Sequence, residues 1–209
     1  MTHGFDKDYW EQHWHGRHGD GPAAMAGSPP NPYLAREVGG LVPGTALDAG
    51  CGAGAEAIWL AAHGWDVVAA DISVEALARA AERATGSDVR VHWVEADLTA
   101  WAPQAQFDLV TTHYAHPAMP QPAFYGRISE WVAPGGTLLI VGHLHTSAAA
   151  GHDHHPPAEA SVTLADIAAV LDRTRWDIAT ADQHHRTVTG PGGRAHDLHD
   201  VVVRATRHP

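Results

Sequence analysis

The sequence contains one cysteine, one lysine and no long hydrophobic run. With Cys51 alone, no intrachain disulfide can form. No stretch approaches the roughly 20 consecutive apolar residues of a transmembrane helix, and the opening "MTHGFDKDYWEQHWHGRHGDG" lacks the apolar segment of a secretory signal. These absences predict a protein that neither spans a membrane nor is secreted, and we expect it in the cytoplasm.

Basic residues are also scarce, with 13 Lys and Arg against 24 Asp and Glu and a formal net charge of −11. Because nucleic-acid backbones are bound largely by Lys and Arg, this balance argues against a DNA or RNA partner. Histidine is abundant, with 18 copies whose partial protonation near pH 6 would reduce the charge. The composition favours a small-molecule partner and leaves the oligomeric state open.

From Pro43 onward the pattern alternates between short apolar strands and amphipathic helices. Ser73 is a predicted helix N-cap, and Thr163 with Asp166 forms a predicted capping box. This alternation predicts an α/β fold with a mostly parallel sheet and helices on both faces. Ligands of such sheets bind at the carboxyl ends of the strands. Before this region, "YWEQHWHGRHG" predicts a short helix and "GDGPAAMAGSPPNP" a loop.

The segment "LDAGCGAG" joins the first predicted strand to the first helix of this region. Glycines at Gly50, Gly52 and Gly54 permit a tight turn and a close approach of the backbone to a ligand. Asp71, about 20 residues further on at the end of the second strand, is placed to accept hydrogen bonds from ribose hydroxyls. The spacing of Gly50, Gly52 and Ala55 also fits a loose dinucleotide-binding pattern. The loop by itself is therefore compatible with a dinucleotide or with another cofactor that contains a ribose.

Two further carboxylates favour a cofactor with a cationic amino-acid group over a dinucleotide. Asp48 stands before the glycine loop, where it would repel a pyrophosphate but suits a cationic amino-acid group. Asp97 follows the third strand and can accept a hydrogen bond from an adenine amino group. Because Lys7 is the only lysine, the Tyr-x-x-x-Lys pair of short-chain reductases is absent. Other dehydrogenase classes remain open.

At these residues the chain resembles the class I S-adenosylmethionine-dependent methyltransferases, in the small-molecule branch of that family. "ALDAGCGAG" is similar to their first motif, "VVAAD" to their second, "VEADL" to their adenine motif, and "FDLVTTHYA" and "WVAPGGTLLI" to the fourth and fifth strands. The resemblance implies a Rossmann-like seven-stranded sheet whose last strand is antiparallel. It divides the chain into an N-terminal lid helix and loop, 1–40, and a methyltransferase domain, 41–209.

The resemblance also implies a set of residues that contact S-adenosylmethionine. Trp10 enters it because small members of the family use a leading helix as a lid, and Tyr9 would join Trp10 in shielding the site. The expected cofactor contacts are Asp48, Gly50, Cys51, Gly52, Gly54, Asp71, Ile72, Asp97, Leu98, His113 and Trp10.

The segment "GHLHTSAAAGHDHHPP" concentrates five histidines after the fifth strand. His113 and His143 end two strands that the fold makes neighbours, so both are expected beside the substrate. Three hypotheses remain. In one, His143 (or else His113) is a general base. In another, His113, His143, His145 and a loop histidine, His154, hold divalent Zn, Ni, Co or Fe. In the third, the loop is a solvated histidine-rich tract, since the fixed zinc spacings are absent.

Taken together, the residues and the resemblance predict an enzyme that transfers a methyl group to an O, N or S nucleophile. The histidines and the aromatic N-terminal segment favour a small aromatic or heterocyclic substrate, with metal assistance as an open question. The alternatives are an NAD(P)-dependent reductase and a non-catalytic metal-binding or nucleotide-sensing protein.

Overall fold

The computed structural model describes residues 4–15, 27–144, 160–189 and 195–209. Within them the helices are α1 (Lys7–His15), α2 (Pro32–Val38), α3 (Ala55–Ala62), α4 (Val74–Thr85), α5 (Gln121–Ser129) and α6 (Leu164–Val170). The strands are β1 (Thr45–Ala49), β2 (Asp66–Asp71), β3 (Val91–Glu95), β4 (Phe107–His113), β5 (Val132–Leu144), β6 (Ser161–Val162), β7 (Trp176–Thr189) and β8 (Ala195–Arg207).

The strands form one sheet in the order β3-β2-β1-β4-β5-β8-β7, with the two-residue β6 paired to β5. Strands β1 to β5 pair in parallel, and β8 runs antiparallel to both β5 and β7. The predicted α/β fold with an antiparallel last strand is confirmed, and β6 is an addition to it. In the described part of the chain, no helix is both long and apolar enough to span a bilayer.

Alternate residues of the central strands face two separate layers of the core, as the period of a β-strand requires. On β5, Leu138 and Ile140 pack in the layer that contains Phe124 of α5. The neighbouring Leu139 packs in the opposite layer, which contains Leu34 of α2. The central strands are therefore buried on both faces, which explains why they are mostly apolar rather than alternating.

Both predicted helix starts are confirmed in the side-chain contacts. The Ser73 hydroxyl accepts a hydrogen bond from the Ala76 N–H at the start of α4. At the start of α6, Thr163 and Asp166 form the reciprocal capping box. These local contacts are set by residues three positions apart, and the sequence therefore predicts them well.

Helix α2 was not predicted, because its segment was interpreted as the end of a Gly/Pro loop. The Asn31 side chain accepts a hydrogen bond from the Tyr33 N–H, and Pro32 occupies the first turn. Asparagine followed by proline is a helix-start signal that outweighs the loop character of the preceding residues. Leu34 and Val38 are buried in the core. The division of the chain at residue 40 stays a prediction.

Candidate active site

The glycine loop connects β1 to α3 at the carboxyl edge of the sheet. The N–H groups of Gly50 and Cys51 both donate to the Ala70 carbonyl oxygen of β2, at 2.8 and 3.1 Å. Gly50 has a φ of +80°, and a Cβ there would stand 2.3 Å from the Cβ of Ala115. The loop is thus held against β2 and packs closely on Ala115, and glycine is required at its first position.

Asp71 shapes this loop from the end of β2. One carboxylate oxygen accepts the Gly52 N–H at 2.8 Å, and the other accepts the Ser73 N–H at 2.9 Å. Burial raises the pKa of the Asp71 carboxyl. Asp71 was predicted as a ribose acceptor, and the structure adds a second role in holding the loop. Each carboxylate oxygen can accept further hydrogen bonds, so a ligand hydroxyl remains compatible with these contacts.

Asp48 lies beneath the loop with an unsatisfied carboxylate oxygen. The residue is 1% exposed, and its Oδ2 has no hydrogen-bond partner among the described residues. Burial, together with the nearby carboxylates of Glu56 and Asp71, raises the pKa of Asp48 well above its usual value. A buried carboxylate of this kind requires a proton or a cationic donor. The ammonium group of an amino acid meets that requirement.

A cavity of about 380 Å³ opens beside the ends of β2 and β3. It is lined by Asp6, Lys7, Ile72, Glu95, Ala96, Asp97 and Ala118. Ile72 and Asp97, both predicted cofactor contacts, are therefore brought together here. Oδ1 of Asp97 already accepts the N–H and hydroxyl of Thr99. Leu98 instead packs in the hydrophobic core, and Cys51 is buried in the opposite core layer.

Helix α1 lies across this edge of the sheet and contacts several of its elements. Glu11 accepts the Val74 N–H at 2.8 Å and the Ser73 hydroxyl at 3.0 Å, so it caps α4 from another helix. Lys7 forms an ion pair with Glu95. The Trp10 indole N–H donates to the backbone oxygen of His116 at 3.2 Å. The predicted N-terminal helix therefore covers the candidate site.

The predicted histidines His113 and His143 lie near this edge together with His116. The His143 ring is tilted by 31° to that of Tyr114 with centroids 4.6 Å apart, and it stacks on His116 with centroids 5.4 Å apart. His113 contacts Thr111 Oγ1 through Nδ1 at 3.3 Å, and its buried Nε2 has no partner among the described residues.

The three imidazoles share one electrostatic condition. Burial lowers the pKa of His143 to about 4, and burial together with His143 lowers the pKa of His116 to about 3. Burial also lowers the pKa of His113. All three rings are consequently neutral near pH 7, which is the form that can accept a proton.

The structure describes two of the four proposed metal ligands. His113 and His143 are described, whereas His145 and His154 lie outside the described residues, as do the other loop histidines. Within the described ranges, no three His, Cys, Asp or Glu side chains are grouped so as to hold a metal ion. The metal hypothesis therefore depends on the undescribed loop.

A buried polar network beside His143 was missed at the sequence level. Asp200, which is fully buried, accepts hydrogen bonds from the hydroxyls of Tyr33 (2.9 Å) and Tyr114 (2.8 Å) and from Arg186 Nε (2.6 Å). In the β5–β8 ladder Asp200 stands opposite His143. The available signal was an aspartate directly preceding the apolar run "VVV", where burial demands a partner.

Comparison with known proteins identifies the family. Residues 46–136 match the family model described as a methyltransferase domain. The matched segment is therefore a methyltransferase domain, in agreement with the family that the sequence motifs resemble. The sheet order and glycine loop of the chain are those expected for this family, and the two carboxylates predicted to contact the cofactor, Asp48 and Asp71, lie on the neighbouring strands β1 and β2.

Among the similar proteins is a thiocyanate methyltransferase of Brassica oleracea, 30% identical over 150 residues, which cover 66% of this chain and 65% of the relative. A structure titled for the conversion of a disulfide bond into a thioacetal group during echinomycin biosynthesis has a TM-score of 0.71 and 24% identity. That alignment covers 100% of this chain and 93% of the other.

A magnesium protoporphyrin IX methyltransferase of Synechocystis, solved with bound S-adenosylmethionine, has a TM-score of 0.64 and 19% identity. That alignment covers 99% of this chain and 92% of the other. These structures show the fold that the chain shares. The chain spans about a third to a half of the length of the first curated relatives that it matches.

The residues around the glycine loop fit S-adenosylmethionine. Asp48 offers a buried anionic oxygen without a partner in the described structure, which suits the ammonium of the methionine portion. Asp71 and the glycine loop stand where a ribose would be held, and the cavity at Ile72 and Asp97 is of a size for a purine.

Proposed function

We propose that the protein transfers the methyl group of S-adenosylmethionine to a nucleophilic atom of a small molecule. The observation that carries this proposal is the unpartnered, buried Oδ2 of Asp48 beside a glycine loop in a chain with a matched methyltransferase domain. When bound, the cofactor supplies an electrophilic methyl group on a sulfonium. Asp48 would bind the ammonium group, Asp71 the ribose hydroxyls, and Ile72 with Asp97 the adenine.

His143 is the proposed proton acceptor for the nucleophile. Its ring has no hydrogen bond to another described residue, and burial holds its pKa at about 4, so the ring is neutral with a free lone pair. His113 ranks after His143 as the proton acceptor, because its Nε2 is unpartnered but buried away from solvent. Helix α1 would exclude water once the cofactor and substrate are bound, with Trp10 as its contact to the site.

The acidity of the nucleophile sets the cost of proton transfer to His143. A thiol with an ordinary pKa of about 8.5 lies roughly 4.5 units above this imidazole, and a phenol of about 10 lies roughly 6 units above it. Because each unit costs about 1.4 kcal/mol, complete proton transfer from a phenol is the more costly by about 2 kcal/mol. A sulfur nucleophile is therefore preferred. The similarity to a thiocyanate methyltransferase supports the same choice.

The rings around the site favour a planar substrate. Phe5 and Trp10 of the N-terminal segment pack with His116, which in turn stacks on His143. The Tyr114 ring also lies against His143, with centroids 4.6 Å apart. Aromatic and heterocyclic molecules pack well against such a surface. We therefore propose a small aromatic or heterocyclic thiol as the first substrate class to test.

Metal assistance is a separate part of the proposal. His113 and His143 would need His145 and His154 to complete a site for Zn, Ni, Co or Fe. The test is elemental analysis of protein purified without a nickel column, followed by methyl transfer before and after exhaustive chelation. Full activity of the chelated, metal-free protein would remove the metal from the reaction.

Calorimetry and a methyl-donor assay test the function itself. We expect S-adenosylmethionine to bind and NADH not to bind, and Asp48→Asn to lower the affinity for S-adenosylmethionine about tenfold or more. The assay would then present aryl thiols, phenols, amines and a structured RNA, with and without divalent metals. Binding of NADH alone would favour the reductase. Cofactor binding without transfer to any acceptor would favour a nucleotide-sensing role.

A further inference from the structure

Gln121, the first residue of α5, contacts His116 in a way that determines the state of its ring. The Gln121 side chain is 3% exposed. Its Nε2 lies 2.8 Å from the backbone oxygen of Ala115 and 2.7 Å from Nδ1 of His116. One amide nitrogen thus joins a carbonyl oxygen and an imidazole nitrogen at the same time.

The chemistry of the three groups leaves one assignment. A backbone carbonyl oxygen only accepts hydrogen bonds, so the glutamine atom that faces Ala115 must be the NH₂ group. That group also donates to His116, and Nδ1 must therefore be the unprotonated nitrogen of the ring. The proton of the neutral imidazole consequently lies on Nε2.

The unused oxygen of the same amide supports this assignment. Gln121 Oε1 is buried and has no hydrogen-bond partner among the described residues. A buried acceptor without a partner costs about 1–3 kcal/mol. Rotating the amide would place Oε1 against the Ala115 carbonyl oxygen, which is also an acceptor, so only the observed orientation keeps the hydrogen bond to Ala115.

The ring of His116 lies close to the N-terminal helix and to the proposed base. Its ring sits between Trp10 of α1, 6.5 Å away by centroids, and His143 of β5, 5.4 Å away. Nε2 of His116 forms no hydrogen bond with a described residue, and unlike Nε2 of His113 it is not fully buried. A donor is therefore available next to the proposed base.

We propose that Gln121 holds His116 as a permanent Nε2–H donor, and that this donor selects substrates carrying a hydrogen-bond acceptor next to the nucleophilic atom. The selection of substrates rests on the proposed function, whereas the position of the proton on the His116 ring does not depend on it. His143 accepts the proton of the nucleophile, and His116 binds the neighbouring carbonyl or carboxylate oxygen. Gln121 is a positioning residue, because it acts through His116.

The state of the ring is tested by ¹⁵N NMR of histidine-labelled protein, with His116→Gln used to assign the signal. We expect His116 in the wild type to show a protonated Nε2 and an unprotonated Nδ1 from pH 8 down to pH 5. In Gln121→Glu the carboxylate can only accept at neutral pH, so the proton should move to Nδ1. Gln106→Glu, at an exposed glutamine near the opposite end of β4, is the matched control. A wild-type ring protonated at Nδ1 overturns the proposal.

Ligand selection is measured by calorimetry in the presence of S-adenosylhomocysteine, with benzenethiol and methyl 2-mercaptobenzoate as the probes. The ester adds a neutral acceptor beside the sulfur. We expect the wild type to bind the ester more tightly, and the preference to fall about tenfold in Gln121→Glu, as for loss of one hydrogen bond. Gln121→Met, which has no donor and no charge, should also lower it.

An unchanged preference in both Gln121 variants overturns the selection by His116. These readings do not depend on turnover. If the protein transfers no methyl group to any acceptor, the proposed function fails, while the NMR and binding results still decide the role of Gln121. If methyl transfer occurs but the preference does not respond to Gln121, the proposed function stands and this inference fails.

Discussion

The phenolic hydroxyl of Tyr114 donates to Oδ1 of Asp200 at 2.8 Å, although the two residues are 86 positions apart in the sequence. The same hydroxyl oxygen accepts a hydrogen bond from Arg186 at 2.9 Å. Tyr114 has a φ of +53°, a left-handed conformation that costs a non-glycine residue about 1–2 kcal/mol. The network with Asp200 therefore holds a strained residue two positions before His116, with its ring against that of His143.

Asp200→Asn is expected to lower the free energy of unfolding by about 3 kcal/mol. The substitution removes the charge that compensates Arg186 inside the fold, and breaking a buried pair is costly. Tyr114→Phe, which removes a single hydroxyl, should cost about 1 kcal/mol. Urea unfolding measures both. An Asp200→Asn protein as stable as the wild type would show that the network does not support the fold.

Asp48→Asn should stabilise the ligand-free protein and weaken cofactor binding at the same time. The pKa of Asp48 is raised in the folded state, so the folded protein holds this proton more tightly than the unfolded chain. Its contribution to stability is present at low pH and is lost as the pH rises from about 4 through the raised pKa.

The melting temperature of the Asp48→Asn protein should therefore exceed that of the wild type by a few degrees at pH 8 and by less at pH 5. The affinity for S-adenosylhomocysteine should fall about tenfold or more, because a charge-assisted hydrogen bond is lost. Thermal scans at the two pH values and calorimetry provide these measurements. Equal affinity in the two proteins would refute the ammonium site.

Acidification should destabilise the protein between pH 6.5 and about 4. The pKa values of His116 and His143 are lowered to about 3 and about 4 by burial, so each neutral ring stabilises the folded state above pH 6.5 and this stabilisation is lost as the pH falls. At pH 5.5 each ring accounts for a loss of about 1 kcal/mol.

Urea unfolding at pH 7.5 and 5.5 measures this loss, and His143→Phe should reduce the difference between the two values by about 1 kcal/mol. His184→Phe, at a histidine for which burial is incomplete, provides a comparison outside the proposed base. A pH dependence that does not change in His143→Phe would mean that this ring is not held neutral by burial.

Gly52→Ala should disturb the glycine loop and α1 together. Gly52 has a φ of +50°, and a Cβ on it would stand 3.1 Å from Cζ2 of Trp14. We expect a loss of about 1–2 kcal/mol in the free energy of unfolding and faster hydrogen exchange across Lys7–His15. Gly40→Ala is the control, because its Cβ would meet no atom within 4 Å. Unchanged hydrogen exchange in α1 would show that the helix does not depend on the conformation of the glycine loop.

His143→Ala is expected to lower turnover by a factor of about 100 while changing the affinity for S-adenosylmethionine less than threefold, as for a general base. The acid limb of the kcat/KM profile should lie near pH 4, where His143 titrates, rather than near 6.5. Steady-state kinetics and calorimetry measure the two quantities. A similar loss in both would point to a structural or cofactor-side role.

The sequence by itself determined those parts of the protein that depend on short spacings. Ser73 and the pair Thr163 and Asp166 act within one helical turn, and the apolar period distinguishes strand from helix. The glycine loop and Asp71 belong to one strand–helix–strand unit, and their proximity follows from the order of elements. These relations required no knowledge of distant contacts.

Only the tertiary structure decided which side chains surround His143. Asp200, Arg186 and Tyr33 come from the last two long strands and from α2, and they meet Tyr114 because β8 lies beside β5 in the sheet. The state of His116 likewise depends on Gln121, whose side chain carries no sequence signal. Burial removes these groups from water, so their pKa values and hydrogen bonds depend on neighbours that are distant in the chain and close in the fold.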